Sequence, residues 1–276
     1  MQCVNGIVMP MTVDAAAAET QMTGRLKDRS SNAASVRFLI DNSLSIVNRT
    51  GAYQIAKDLC RDLSPEFAKV RYWRLGRHAP EGVLRKVMAR LMMQEINWLG
   101  DRQAFLLRDK LENGAFRLFL DPLYVLRSRL TDRDIILCHD VGPMTHSALY
   151  DARTVENYRL AFEKIRRAKP GVVFVSDWSK ACFKSLYGTE FRRLDTISLY
   201  VRDEVFNGVQ ETVPGIEGRF FLTVGAFETR KNQVASINAY REGGFAGQGI
   251  KYVLCGSRGR GHEEIIGLAR QTSGVI

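Results

Sequence analysis

Several large classes of protein are excluded by what this 276-residue sequence lacks. The longest strongly apolar runs, such as Gly171 to Val175, are far too short to span a bilayer. No signal peptide is expected, because the N-terminus lacks basic residues and because Pro10 and Asp14 interrupt its apolar stretch. A P-loop ATPase and an α/β-hydrolase are not expected either, since neither Gly-x-x-x-x-Gly-Lys-Ser/Thr nor Gly-x-Ser-x-Gly occurs.

Cysteine is scarce, and the residues present are odd in number and widely scattered. A secreted disulfide framework needs paired cysteines, and a zinc site needs closely spaced ligands. We therefore expect reduced thiols, mostly in the core, and a cytoplasmic protein. His139 and His146 have no third ligand nearby, so no metal is expected. The cysteines are Cys3, Cys60, Cys138, Cys182 and Cys255.

The net charge of +10 is spread evenly along the chain. Residues 1–150 hold 21 Lys/Arg and 16 Asp/Glu, and residues 151–276 hold 19 and 14, so each half carries +5. No nucleic-acid partner is expected, because such domains usually gather their cations on one stripe with interleaved aromatics. The even charge suits a protein that handles phosphorylated ligands or makes peripheral contact with the anionic inner face of a membrane.

Strands alternate with helices through residues 35–206, which predicts an α/β fold with a doubly wound parallel sheet. Residues 1–34 have no sustained period and are expected to form a disordered or loosely attached arm. A strand at 36–40 leads through a turn into a helix at 52–63, with Thr50 as its N-cap. The later predicted elements are strands at 67–73, 134–138, 171–175 and 196–201, a mainly helical stretch at 82–130, and helices at 155–167 and 179–187.

The pattern starts afresh after a stretch at 207–218 that collects glycine and proline, which predicts a linker between two domains. Residues 219–276 would form the first half of a second Rossmann-like domain. Its predicted elements are strands at 220–224 and 251–255, helices at 233–241 and 262–270, and an apolar restart at 274–276. Three strands are only half of such a sheet, so we expect the chain to be a fragment of a longer protein.

The helical pattern that begins near Gly82 is amphipathic and basic. Such a helix either packs on its own sheet or lies on a membrane surface, and packing on the sheet is the favoured interpretation. The apolar face comprises Leu84, Val87, Met88, Leu91 and Met92, and the flanking cations are Arg85, Lys86 and Arg90.

Candidate ligand-binding residues fall where predicted strands end, because parallel sheets bind ligands at the carboxyl ends of their strands. Gly51 closes the loop after the first strand and would let the backbone approach a phosphate, although simple turn geometry explains it equally well. His139 directly follows a buried strand, a position that favours function over structure. The run from Gly256 to Gly261 only superficially resembles a dinucleotide fingerprint, since its order is G-x-x-G-x-G.

The stretch from Phe220 to Tyr240 carries the strongest of these signals. Its apolar strand stops at Gly225, and a polar turn then places Arg230 and Lys231 just before a predicted helix. Backbone N–H groups and the helix dipole favour an anion at that point, and the two cations reinforce the preference. A solvated loop is the competing interpretation.

Taken in order, these segments resemble the retaining GT-B glycosyltransferases of family 4, in particular mannosyltransferase-like members. The resemblance covers residues 35–276, and its matching segments are NRTG, DIILCHD, VVFVSDWSK, FFLTVGAFETRKN and YVLCGSRGRGHEEI. It implies a GT-B fold, in which an acceptor-side domain and a nucleotide-sugar domain, both Rossmann-like, face each other across a cleft. The second domain would be incomplete here.

The resemblance also implies roles for single residues. Lys231 would contact the donor diphosphate, with Arg230 adjacent and Gly225 in the same donor-binding loop. Gly51 would lie under the same phosphates from the first domain, and His139 would face the reacting sugar.

The implied reaction transfers a hexose, for which mannose is one candidate, from a nucleotide-diphospho-sugar to a glycan or lipid-linked acceptor. The transfer would occur with retention and without a metal or other cofactor, in polysaccharide biosynthesis. Two features depart from the family pattern. Ala226 stands where many relatives have Arg, and the family's Glu-x7-Glu pair would lie beyond Ile276.

Three other functions stay open at this point. The first is a catalytically incomplete remnant that acts only as a binding or interaction protein. A sugar-nucleotide epimerase of GT-B shape is the second, and a dinucleotide-dependent oxidoreductase is a distant third.

Overall fold

The computed structural model of the chain describes residues 38–47, 49, 51–63, 68–76, 79–99, 115–200, 213 and 215–276. The predicted arm at 1–34, the predicted N-cap Thr50 and most of the predicted linker at 207–218 lie outside these residues. Two compact units emerge from the Cα positions. One takes its residues from 1–139, 161–173 and 189–194, and the other from 140–160, 174–188 and 195–276. The domain boundary at 207–218 stays a prediction.

The predicted α/β class is confirmed by a six-stranded parallel sheet of Rossmann-like type. Its strand order is β2-β1-β3-β4-β5-β6, so the chain moves to one side of β1 and then returns to the other. This reversal, between β1 and β3, is the point at which open α/β sheets bind ligands. The strands are β1 (Phe38–Asp41), β2 (Ala68–Arg71), β3 (Phe116–Phe119), β4 (Ile135–Cys138), β5 (Gly171–Phe174) and β6 (Arg193–Thr196).

The helices predicted at 52–63, 155–167 and 179–187 are confirmed, and the short helices at Leu44–Val47 and Gly142–Thr145 were not predicted. Ser176 caps the helix that follows β5, since its hydroxyl accepts the Ser179 N–H at 3.2 Å, and Gly188 ends that helix at φ +83° as a C-terminal glycine. The helices are α1 (Leu44–Val47), α2 (Gly51–Asp62), α3 (Gly82–Leu99), α4 (Gly142–Thr145), α5 (Ala152–Ala168) and α6 (Asp177–Tyr187).

Two sequence predictions were wrong in this sheet. The stretch at 82–130, predicted as mainly helical, also contains the strand β3 and a 3-10 helix at Pro122–Arg127. The sequence did not predict β3, because Arg117 occupies a buried position of this strand, where an apolar residue is expected. The last strand spans Arg193–Thr196 rather than 196–201, and apolar Ile197 and Leu199, which suggested the later range, are exposed.

The second sheet follows the sequence prediction closely. β7 (Phe220–Val224) and β8 (Lys251–Cys255) pair in parallel, and α7 (Gln233–Glu242) and α8 (His262–Gln271) follow them. The apolar restart at 274–276 also pairs beside β8, since the Tyr252 N–H donates to the Gly274 carbonyl at 2.8 Å. The core of this sheet is formed by Ile237, Tyr240, Tyr252 and Ile265.

The described cysteines are all free thiols, but they are not uniformly buried. Cys138 lies in the core as predicted, whereas Cys255 at the end of β8 is exposed, so the prediction of a core thiol was wrong there. Cys60 is partly buried, and this burial raises the pKa of its thiol to about 11, partly offset by a hydrogen bond from Asn42. The Cys60 thiol is therefore protonated at neutral pH and a poor nucleophile.

Candidate functional site

Gly51 and His139 both lie at the carboxyl edge of the six-stranded sheet. Gly51 is the first residue of α2, after the loop that leaves β1, and His139 directly follows β4. The end of β3 lies between β1 and β4 in the sheet. The sequence therefore placed both residues at the carboxyl edge of the sheet, and Gly51 follows β1, the strand at which the order reverses.

Gly51 is not required by the geometry of its turn. It is exposed, its φ is not positive, and a Cβ added to it would have no heavy atom within 4 Å. The turn would therefore also accept a residue with a side chain, and the two interpretations of Gly51 stay open. Beside it, the Arg49 guanidinium lies 4.3 Å from the centroid of the Tyr53 ring, which places a cation at the start of α2. An anion at this N-terminus would be stabilised by the helix dipole and by Arg49, and no side chain would block its approach to the Gly51 backbone.

The loop after β4 brings Asp140 and Tyr150 together within the second compact unit. The Asp140 Oδ1 atom accepts the Gly142 N–H at 2.7 Å. A Cβ added to Gly142 would come within 2.3 Å of the Tyr150 hydroxyl and 2.9 Å of Asp140 Oδ1, so the phenol lies directly against this backbone. Sequence reasoning missed Tyr150. In the sequence, the Gly142-Pro143 turn after His139-Asp140 indicates a loop here but does not point to Tyr150.

The pKa of Tyr150 is shifted by charges in the Arg230 region of the same compact unit. Burial raises the pKa of the phenol, and the Asp140 carboxylate raises it further. The Arg230 guanidinium partly offsets these effects, and the Glu228 carboxylate adds a smaller increase. Tyr150 is therefore a neutral hydrogen-bond donor at physiological pH, within electrostatic range of the turn that carries Arg230 and Lys231.

That turn is held in shape by the first residue of α7. Thr229–Lys231 form one turn of 3-10 helix, and Asn232 adopts a left-handed conformation at φ 54° before the α-helix begins. The Gln233 side chain is buried. Its Nε2 atom donates to the Ala226 carbonyl at 2.8 Å, and its Oε1 atom accepts the Glu228 N–H at 3.3 Å. One glutamine thus ties both sides of the loop to the helix.

Arg230 and Lys231 differ in what they offer a ligand. The Arg230 guanidinium pairs with the Glu228 carboxylate at 2.5 Å, which neutralises much of its charge. Lys231 is exposed, and no carboxylate in the described part of the chain pairs with it. Gly225, at φ +150°, donates its N–H to the Cys255 carbonyl at 2.8 Å, so its amide belongs to the sheet. Its contribution to the loop is conformational.

The glycines at 256–261 serve the packing of this loop against its neighbour. The Phe227 N–H donates to the Ser257 carbonyl at 2.8 Å, and the Thr229 N–H donates to the Arg260 carbonyl at 3.0 Å. A Cβ at Gly256 would lie 1.7 Å from the Gly225 carbonyl oxygen. The close approach of two backbones explains the glycine there without a bound dinucleotide.

No group of three or more His, Cys, Asp or Glu side chains among the described residues is placed to hold a metal ion. The chain matches no protein-family model and no curated protein. The case for function therefore depends on the geometry of the loops described above, above all the turn that carries Arg230 and Lys231.

Proposed function

We propose that the chain is a glycosyltransferase that takes a hexose from a nucleotide-diphospho-sugar and passes it, with retention, to a glycan or lipid-linked acceptor. The observation that carries the proposal is Lys231. It is an exposed cation on a turn held by Gln233, at the carboxyl end of β7 and beside the N-terminus of α7. An exposed cation at such a position favours a phosphate, which supports the proposal.

The chemistry needs such a site. Transfer breaks the bond between the anomeric carbon and the β-phosphate oxygen, and it forms a bond from that carbon to an acceptor hydroxyl oxygen. Negative charge grows on the departing diphosphate, which takes the hydroxyl proton when attack occurs on the same face. A fixed lysine and a helix N-terminus stabilise this charge without a metal.

The proposal also gives roles to other residues. Tyr150, kept protonated, offers a hydroxyl donor near the same turn, and the Arg230 charge is held in place by Glu228. In the six-stranded sheet, Gly51 would accept the phosphates at the start of α2, and His139 would face the reacting sugar. The role of Gly51 is tested separately from that of Lys231.

Lys231→Ala is expected to weaken binding of the donor by about 10- to 100-fold, because a charge-assisted contact contributes about 1.5–3 kcal/mol. The matched control is Arg270→Ala, which removes an exposed cation from the last turn of α8 and should leave affinity unchanged. Calorimetry with GDP-mannose and a panel of UDP-sugars measures both variants against the unchanged chain.

The same panel separates the competing functions when free nucleotide and free sugar are also followed. Absence of both binding and donor turnover would contradict the proposal. Donor binding that depends on Lys231, with no transfer or hydrolysis, would indicate a binding protein instead. Interconversion of sugar nucleotides without an acceptor would indicate an epimerase.

Gly51→Ala separates a phosphate contact from a structural glycine. Since a Cβ at this position meets nothing within 4 Å, the variant should be as stable as the unchanged chain or gain about 0.5–1 kcal/mol. Donor affinity should fall if phosphates pass over this backbone. Thermal unfolding and calorimetry give the two readouts, and unchanged affinity in a stable variant would remove Gly51 from the donor site.

A further inference from the structure

The helix α3 buries one apolar face and exposes another. Met88, Met92 and Ile96, spaced four residues apart, are buried against the rest of the first compact unit. On a different side, Val83, Val87 and Leu91 are 77%, 45% and 49% exposed, and Leu84 beside them is 58% exposed. We call these four residues the outer stripe. Packing on the sheet accounts for the buried face but leaves the outer stripe in water.

Within α3 the charges beside the outer stripe are positive, and the exposed Glu81 lies just before the helix begins. Lys86 and Arg90 are exposed, and each lies about 100° around the helix from the stripe residue that follows it. From Gly82 to Gln94 the helix has no acidic residue. Glu95 is turned inward, where its carboxylate pairs with Arg127 and Arg74, both at 3.0 Å.

We propose that the outer stripe docks on an anionic lipid bilayer, with α3 lying in the plane of the interface. The apolar side chains would enter the boundary between headgroups and acyl chains, and Lys86 and Arg90 would meet lipid phosphates. No helix among the described residues is long and apolar enough to cross a membrane. This proposal does not depend on the transfer reaction.

Charge decides between lipid and a second copy of the chain as the occupant. Two copies that met through the outer stripe would bring their own Lys86 and Arg90 side chains together, at an electrostatic cost. An anionic surface instead attracts both cations while covering the same apolar residues.

Co-sedimentation with vesicles tests the proposal on the full 276-residue chain. The chain should pellet with vesicles of phosphatidylcholine and phosphatidylglycerol and should remain in solution with phosphatidylcholine alone. Replacing both cations by glutamine should weaken binding about 30-fold, which corresponds to about 2 kcal/mol. Replacing three stripe residues by serine should weaken it at least about tenfold. The variants are Lys86→Gln/Arg90→Gln and Leu84→Ser/Val87→Ser/Leu91→Ser.

Matched controls alter exposed side chains elsewhere on the molecule, and they should bind vesicles like the unchanged chain. These are Lys184→Gln/Arg192→Gln and Leu149→Ser/Leu186→Ser. Circular dichroism should show that every variant keeps its fold. Failure to pellet with anionic vesicles, or equal binding by stripe and control variants, would overturn the proposal. So would an oligomer without lipid that the serine variant dissociates, since a second copy would then cover the stripe.

Discussion

Asp134→Ala is expected to lower the free energy of unfolding by about 3–5 kcal/mol, because it leaves the buried Arg117 guanidinium without its counter-ion. The Asp134 carboxylate is fully buried. It accepts the Arg117 backbone N–H at 2.8 Å and pairs with the Arg117 Nη2 atom at 3.0 Å. It also accepts the Thr131 N–H at 2.8 Å. A single carboxylate therefore accepts hydrogen bonds both from β3 and from the turn that precedes β4.

The control for this variant removes a carboxylate whose ion pair lies in water. Glu156 pairs with Arg159 on the surface of α5, and Glu156→Ala should cost at most about 1 kcal/mol. Urea unfolding followed by circular dichroism compares the two. If Asp134→Ala does not fold, Arg117→Met/Asp134→Leu should recover part of the loss by replacing both charges with apolar groups. Equal stability of Asp134→Ala and Glu156→Ala would contradict the expected role of the buried pair.

Gly256→Ala is expected to destabilise the second sheet by about 3 kcal/mol or more, because the new methyl group would lie 1.7 Å from the Gly225 carbonyl oxygen. Backbone cannot move aside as a flexible side chain does, so the two loops must separate. The hydrogen bonds of Phe227 and Thr229 to the neighbouring loop should weaken first. Lys231 is carried by the displaced loop, so donor affinity should fall as well.

Gly267→Ala is the matched control, because a Cβ at Gly267 meets nothing within 4 Å and the residue lies inside α8. This variant should be more stable than the unchanged chain by about 0.5–1 kcal/mol, since alanine is the better helix former. Hydrogen exchange at the Phe227 and Thr229 amides distinguishes the variants. Unchanged protection of both amides in Gly256→Ala would show that the loops are not held by this contact.

The second sheet could be predicted closely from sequence because its signals are local. Phe220–Val224 and Lys251–Cys255 are short apolar runs that end in glycine, and the helices after them keep a regular apolar period. β3 could not be predicted in this way. Its buried Arg117 looks like a surface residue until Asp134, on a later turn of the chain, is known to neutralise it.

The candidate site, too, could be predicted from the sequence only in part. Adjacent cations before a helix drew attention to Arg230 and Lys231, but sequence could not distinguish them, since the difference depends on how Glu228 folds back onto Arg230. The tie between Gln233 and the loop depends equally on side-chain direction. Tyr150 was beyond sequence reasoning, because its relation to Asp140 and Arg230 exists only once the chain is folded.

The electrostatic relation between Tyr150 and Arg230 has a consequence through thermodynamic linkage. Two sites that influence each other do so reciprocally, so whatever changes the charge around Arg230 must also move the pKa of the phenol. An anion that settles beside Arg230 would raise that pKa, and ionising the phenol would loosen the anion by the same free energy. In alkaline solution, where the phenol ionises, the apparent pKa of Tyr150 should therefore rise when an anion binds, and Tyr150→Phe should remove this part of the ultraviolet titration.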